Sequence, residues 1–146
     1  MKFKLIAPDG PEYEAEKLLR WEVLAKPLGR PPETAEFPEE RESLHLIALE
    51  GKRIVGCICF HPETNTQGRI FEIAVSDEYQ GRGFGRKLIH AMEKMLQQKG
   101  ILNVYLFARA ETEDFYFRLG YHPEGEVIEK MGMKQRIMKK TLDGNT

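Results

Sequence analysis

The chain has 146 residues, a net charge of −1 and 41% hydrophobic residues, so it is long enough for one domain with a sizeable core and too short for two. This charge balance provides no broad basic field, so neither nucleic acid nor a membrane is expected as a partner. The apolar stretch at the N-terminus is too short for a secretory signal, and no apolar run reaches 18 residues. We therefore expect a cytoplasmic protein whose residues 1–146 form a single domain.

The first 43 residues predict one strand, one helix and one loop. Residues 2–6 are typical of a short strand, and residues 13–24 of a helix, because their apolar positions recur at helical spacing. These positions are Leu18, Trp21 and Leu24. Prolines and a glycine end this helix, and the stretch to Ser43 is rich in Pro and Glu without apolar periodicity. That stretch is expected to be a loop or a short helix.

Three strands of a meander are predicted next. Residues 44–50 and 53–60 are apolar, β-branched runs on either side of the short turn Gly51-Lys52, which is typical of a β-hairpin. After a second turn, residues 69–76 form the third strand.

The second half of the chain alternates between helices and strands. Residues 84–99 predict a helix, because apolar residues recur at i, i+4, i+7 and i+8. These residues are Leu88, Met92, Met95 and Leu96. A strand at 101–108, a helix at 112–119 and a last strand at 135–140 follow. The order of elements predicts an α/β fold in which helices cover both faces of a mixed sheet.

The cysteines and histidines predict no metal site. Cys57 and Cys59 alternate along a strand and share a face, which is poor geometry for a disulfide between them, so both are expected to be reduced core thiols. The four histidines are too scattered for a recognisable zinc pattern.

Residues 80–85, Gln-Gly-Arg-Gly-Phe-Gly, join the third meander strand to the following helix and predict an anion cradle. Glycines allow positive φ, and a helix N-terminus adds unpaired N–H groups, so a pyrophosphate fits there. The loop is not a Walker A loop, because Lys87 is followed by Leu88 rather than by Ser or Thr. It is not a dinucleotide-binding turn either, because Arg86 stands where the third glycine is required.

The spacing of this loop resembles that of the GNAT superfamily of N-acetyltransferases. The matching residues are Ala74, Val75, Gln80, Gly83 and Gly85. Residues 115–121, Phe-Tyr-Phe-Arg-Leu-Gly-Tyr, resemble the second motif of the same family. The resemblance covers residues 44–140 and implies a mixed, mostly antiparallel central sheet of about six to seven strands flanked by helices.

The resemblance implies acetyl-CoA as the acetyl donor. Its pyrophosphate would lie on the glycine loop, and its pantetheine arm would pair with the backbone of the third meander strand like an added strand. The residues expected to bind it are Ile73, Ala74, Val75, Gln80, Gly81, Arg82, Gly83, Phe84, Gly85 and Arg86. Arg82 and Arg86 would contact phosphates, or would alternatively be solvated side chains. The Val75 N–H would stabilise an oxyanion on the thioester carbon.

Two side chains are candidates for proton transfer. An amine acceptor is mostly protonated at neutral pH, and Glu72 could accept its proton directly or through a water. Alternatively, Glu72 is an exposed strand carboxylate or is paired with Arg69. The resemblance assigns Tyr116 as the acid that protonates the departing thiolate; the alternative is a core aromatic residue.

Two departures from the family pattern lie near the expected cofactor arm. Arg109 and Thr112 stand where many relatives have Asn and a small Ala. Gln135 stands where one subgroup often has a His, so a histidine role is not carried over.

The acceptor side of the cleft would be formed by residues 21–43. Its glutamates either favour a cationic amine through their summed field or are a solvated acidic loop. They are Glu33, Glu36, Glu39, Glu40 and Glu42.

The sequence therefore predicts an acetyl-CoA-dependent N-acetyltransferase that acts on a primary amine of a small molecule or peptide, by direct attack with a general base and a tyrosine acid. The alternative is a catalytically silent acyl-CoA binding or sensing module. A third possibility is an interaction protein whose glycines serve only packing. A homodimer is a family-level expectation.

Overall fold

Seven strands form one mixed sheet in the computed structural model, which describes residues 1–35, 37–130 and 132–142. The strands are β1 (Lys2–Ile6), β2 (Leu44–Glu50), β3 (Arg53–Pro62), β4 (Gln67–Val75), β5 (Asn103–Arg109), β6 (His122–Lys130) and β7 (Met133–Thr141). Their order across the sheet is β1-β2-β3-β4-β5-β7-β6, and only β4 and β5 pair in parallel. The predicted α/β fold with six to seven mostly antiparallel strands is confirmed.

Three α-helices pack on this sheet in the described part of the chain. They are α1 (Tyr13–Arg20), α2 (Phe84–Gln98) and α3 (Glu113–Arg118). Residues Trp21–Ala25 continue α1 as a π-helix and Lys26–Leu28 as a 3₁₀ turn. No helix in the described ranges combines the length and the apolar character needed to cross a membrane.

The alternation of side chains along the strands divides the core into two clusters. On one face, α2 buries its apolar stripe against the strands, with Leu88, Ile89, Met92 and Leu96 fully buried. On the other face, Leu19 of α1 packs with Ile47, Cys57 and Ala74. Cys57 and Cys59 are free and buried, as predicted.

The apolar spacing in α1 does not identify its buried face. Leu18 is 54% exposed, whereas Glu16 and Arg20 are buried together with Leu19. The two charged residues can lie inside because they pair with each other and with further polar groups under the sheet. The charges, rather than the spacing of Leu18, Trp21 and Leu24, mark the inward face.

Strand β6 has no counterpart among the predicted elements. Its side chains are almost all exposed, and its sequence contains Pro123 and Gly125 among charged residues. An exposed strand needs no apolar alternation, so the pattern that predicts strands is absent here.

Strands β4 and β5 separate soon after they meet. Only three residue pairs join them, and the last is Arg69 with Tyr105. On its other edge β4 carries a bulge, since Phe71 faces Cys59 and Ala74 faces Cys57 with two residues between. One of these two, Glu72, has φ of 52°, which is uncommon for a residue with a side chain. The sheet is therefore open between the C-terminal halves of β4 and β5.

Replacing Gly68 with Ala should destabilise the fold by about 1–3 kcal/mol, because the interior has no room for a methyl group there. Its Cβ would lie 2.3 Å from the His61 carbonyl oxygen and 2.4 Å from the Phe60 ring. Gly85→Ala is the matched control, since its Cβ would meet its nearest neighbour, Phe115, at 3.7 Å. Urea denaturation of both variants measures the difference, and equal midpoints would contradict the packing at Gly68.

Candidate active site

The free edge of β4 offers backbone groups to the gap between β4 and β5. Ser76 N donates to Val55 O at 2.9 Å, so the amide and carbonyl of Val75 point away from β3 and toward β5. The side chain of Ala74 is buried on the face of the sheet that α1 covers. This segment can therefore bind a ligand mainly through its backbone. An extended amide chain fits this edge as an added strand.

The glycine loop follows this edge and has the conformation of an anion cradle. Gly81 and Gly83 have φ of 77° and 80°, which favours glycine at both positions. The first bond within α2 runs from Lys87 N to Gly83 O at 3.1 Å, so the preceding N–H groups of its first turn have no acceptor in the helix. No acidic residue lies in that turn. The loop can therefore hold a pyrophosphate on its N–H groups.

The Gln80 side chain connects the glycine loop to the end of β4 by hydrogen bonds. Its Nε2 donates to the Val75 carbonyl at 2.9 Å and to Asp77 Oδ1 at 3.2 Å. The side chain predicted to bind the cofactor thus joins the end of β4 to the loop. Its contribution to a cofactor site is to fix the direction in which the loop leaves the strand.

Two arginines flank the cradle. Arg82 is exposed and lies 5.4 Å from the Tyr79 ring, and Arg86 projects next to Gly83. Neither forms an ion pair within the described residues. Both are placed to add charge-assisted contacts to a phosphate.

Glu72 and Tyr116 line the same cleft, which has a volume of about 270 Å³ and opens where β4 and β5 separate. Burial raises the pKa of Glu72 to about 7, with Arg20 opposing the rise and Glu40 and Glu16 adding to it. Burial also raises the pKa of Tyr116 to about 12, against the nearby charge of Arg109. The structure thus brings a carboxylate that titrates near neutrality together with a phenol that stays protonated.

The structure disagrees with the alternative roles of Glu72 and agrees in part with that of Tyr116. Glu72 is only partly exposed, and its carboxylate forms no ion pair with Arg69 within 4.0 Å. Tyr116 does pack against the larger core cluster and contacts the Tyr121 ring, so its ring is part of the core as well as of the cleft. A core position and a position at the reaction site are therefore compatible for this residue.

A network of charged side chains lies directly beneath Glu72. Arg20 pairs with Glu16 at 3.1 Å and with Glu40 at 2.6 Å, and it lines the cleft. His45 faces Glu16 through Nδ1 at 3.0 Å and the Glu40 carbonyl through Nε2 at 2.9 Å. Two acceptors require both ring nitrogens to donate. Burial alone would lower the pKa of His45, but Glu16 and Glu40 raise it above its usual value.

Glu16, His45 and Cys59 also have the ligand types of a metal site, with their donor atoms within 4.8 Å of one another. The Arg20 guanidinium occupies this space, since it pairs with Glu16 and donates to Cys59 Sγ at 3.5 Å. Burial raises the pKa of Cys59 well above its usual value, so the thiol keeps its proton in this arrangement. Glu16 and Cys59 thus have Arg20 and His45 as their partners.

The glutamates expected on the acceptor side do not form one acidic surface, because they differ in burial. Glu40 is buried in the network described above, whereas Glu33 and Glu42 are exposed. Glu36 lies outside the described residues. Of the described glutamates in this segment, none lines the cleft.

Sequence reasoning missed Arg20 and Lys130, both of which line the cleft. Arg20 could have been suspected from its spacing, since Glu16 and Arg20 lie one helical turn apart on the side of Leu19. Lys130 ends a strand that carried no sequence signal.

Comparison with known proteins agrees with this geometry. A family model described as an acetyltransferase (GNAT) domain matches residues 11–142. The chain belongs to the GNAT acetyltransferase family. This membership supports acetyl-CoA as the co-substrate and acetyl transfer as the reaction class.

Curated relatives in plants match over about half of this chain. The chain is 32% identical over 80 residues to GCN5-related N-acetyltransferase 2, chloroplastic, of Arabidopsis thaliana, which is 55% of this chain and 31% of that protein. It is 33% identical over 82 residues to histone acetyltransferase TAP1 of Glycine max, which is 56% of this chain and 36% of that protein. The matches span only about a third of those relatives' length.

Solved structures share the fold over nearly the whole chain. ElaA of Escherichia coli superposes with a TM-score of 0.82 at 18% identity, covering 95% of this chain and 98% of that one. An aminoglycoside 6'-N-acetyltransferase complexed with coenzyme A superposes with a TM-score of 0.80 at 18% identity, covering 98% of both chains. At such identities the likeness concerns the fold.

Replacing Arg20 with Met should destabilise the protein by about 3–5 kcal/mol, because Glu16 and Glu40 would be left buried without their partner. The control is Arg53→Met, which removes an arginine whose ion pair with Glu78 is exposed, and which should cause no measurable change. Urea denaturation measures both variants. Equal midpoints would show that the buried network does not stabilise the fold.

Proposed function

We propose that this chain transfers the acetyl group of acetyl-CoA to a primary amine of a small molecule or a peptide. The observation that carries the proposal is the cleft at the separation of β4 and β5, which Glu72 and Tyr116 both line. The free edge of β4 leads from this cleft to the anion cradle of residues 80–85. Acetyl transfer has three requirements: the donor must be held, the amine must be neutral and CoA must be released.

The first requirement is to hold the donor. The N–H groups of the glycine loop and of the first turn of α2 would bind the pyrophosphate of acetyl-CoA, with Arg82 and Arg86 beside it. The outward edge of residues 73–75 would pair with the amides of the pantetheine arm. The Val75 N–H would then lie next to the thioester and stabilise the oxyanion that forms on it.

The second requirement is a neutral amine. An alkylamine has a pKa near ~10.4, so it arrives mostly as an ammonium ion. Glu72 has a pKa of about 7, so a large fraction of its carboxylate is ionised at neutral pH and can take the proton directly or through a water. The free nitrogen lone pair then attacks the thioester carbon.

The third requirement is to release CoA. When the carbon–sulfur bond breaks, the electron pair stays on sulfur, and the Tyr116 hydroxyl donates a hydrogen bond and then its proton to the thiolate. The nitrogen of the new amide loses its second proton, which restores the phenol through solvent. A free thiol has a pKa near ~8.5, below that of the tyrosine, but burial raises thiol pKa values, as it does for Cys57. A CoA sulfur held out of water against the cleft wall would have its thiol pKa raised in the same direction.

Glu72→Gln should remove the acid limb of the pH profile. In the wild type, kcat/KM should rise with pH through about 7 as the carboxyl loses its proton. In the variant, that rise should disappear and kcat/KM at pH 8 should fall by about 10²-fold or more. Release of CoA from acetyl-CoA, followed with a thiol reagent across a panel of amines, measures both. An unchanged acid limb in the variant would exclude Glu72 as the base.

Tyr116→Phe should lower kcat with little change in the Kd for acetyl-CoA, because only the proton donor is lost. Tyr105→Phe is the control, since this tyrosine bonds to Glu63 at 2.5 Å and does not line the cleft. Its kcat should equal that of the wild type. If both variants retain full turnover, Tyr116 is not the acid.

The alternative, a silent acyl-CoA binding or sensing module, predicts acetyl-CoA binding without CoA release for any amine. Glu72 and Tyr116 in one cleft support catalysis instead. A cytoplasmic location, a single domain over residues 1–146 and a homodimer stay predictions.

A further inference from the structure

We propose that the acceptor amine carries a carboxylate, as an amino acid does, and that Arg69, Arg109 and Lys130 recognise it. This inference rests on the proposed function, because it concerns the acceptor of the same reaction. Five basic side chains line the cleft, and Glu72 is the one acid among its described lining residues. The basic residues are Arg20, Arg30, Arg69, Arg109 and Lys130.

These basic residues differ in how far their charge is already neutralised. Arg20 pairs with Glu16 and Glu40, so it adds little net charge to the cleft. Arg69, Arg109 and Lys130 form no ion pair with any carboxylate of the described residues. Positive charge at the cleft wall is thus left for a ligand to balance.

Aromatic faces, rather than acids, support two of these cations. The Arg69 guanidinium lies 4.9 Å from the centre of the Phe71 ring, and Lys130 Nζ lies 4.0 Å from that of Phe107. Such contacts fix a cation in place and leave its hydrogen-bond donors unused. Both side chains are therefore held in position with donors available to an anion.

The two supported cations also repel each other. Burial lowers the pKa of Lys130, and the charge of Arg69 lowers it further, while the charge of Glu39 opposes both effects. Glu39 acts on Lys130 without forming an ion pair with it, so it offsets this repulsion only in part, and a bound carboxylate would relieve the rest. Arg109 is close enough to Tyr116 for its charge to act on the phenol, so positive charge extends toward the reacting end.

The same arrangement disfavours other acceptor classes. Glu72 provides one negative group for one ammonium, and a polycationic amine or a basic peptide would bring further positive charges against the basic wall. The volume of about 270 Å³ is at the small end for ligand pockets and favours a compact molecule. An amine and a carboxylate on one small molecule match both signs of charge.

The test compares acceptors that differ only in the carboxylate. CoA release is measured for α-amino acids and for unbranched ω-amino acids of increasing length, each against its carboxamide, and for spermidine as a polycation. We expect kcat/KM to be about tenfold or more higher for the best acid than for its carboxamide. In Arg69→Gln and Lys130→Gln, this ratio should fall toward one through a higher KM for the acid. Lys134→Gln, an exposed lysine on β7 outside the cleft lining, should keep the wild-type ratio.

A binding measurement separates this inference from the acetyltransferase proposal. Glutarate, a dicarboxylate without an amine, should raise the Tm of the CoA-saturated protein relative to an equal ionic strength of sodium chloride, and Arg69→Gln should abolish this shift. If no amine releases CoA but the glutarate shift appears and is lost in the variant, the function fails and the anion site stands. If carboxamides or spermidine react as well as the acids and glutarate has no effect, the inference is overturned and the function stands.

Discussion

The site depends on the early separation of β4 and β5. A parallel pair that continued to the ends of both strands would satisfy the backbone groups of residues 73–75 and close the cleft. Because pairing stops at Arg69 and Tyr105, the groups on the β5 side of this segment stay open to a ligand, except the Val75 carbonyl, which accepts from Gln80 Nε2. The bulge at Glu72 lies just beyond this point, and it places a carboxylate beside the open edge. The positive φ of Glu72 fits a residue whose position is set by function rather than by local preference.

The charges beneath the cleft provide a second level of organisation. The positive charges of Arg20 and His45 balance the negative charges of Glu16 and Glu40. This network lies next to the cleft, and its ion pairs do not include Glu72. Glu72 is left with a pKa near neutrality, because burial disfavours its charge while Arg20 favours it. The same helix that packs on the sheet thus tunes the proposed base.

Some of this could be predicted from the sequence and some could not. The glycine loop, the hairpin of β2 and β3 and the stripe of α2 depend on local spacing, and all were found where the spacing placed them. The charged face of α1 was not, because apolar periodicity ignores pairs such as Glu16 and Arg20. Strand β6 lacked any apolar alternation. The convergence of Arg69 with Lys130 depends on which strands become neighbours, and no single segment of the sequence contains that information.

Calorimetric titration tests the central claim most directly, namely that acetyl-CoA is held by its pyrophosphate on the glycine loop. The wild type, Gly83→Trp and Gly100→Trp are titrated with acetyl-CoA and with S-acetylpantetheine, which lacks the pyrophosphate. Gly83 and Gly100 both have positive φ, with values of 80° and 83°, and lie at opposite ends of α2. We predict micromolar binding of acetyl-CoA that is lost in Gly83→Trp, kept in Gly100→Trp and much weaker for acetylpantetheine. Equal affinity of the wild type and Gly83→Trp for acetyl-CoA would contradict the claim.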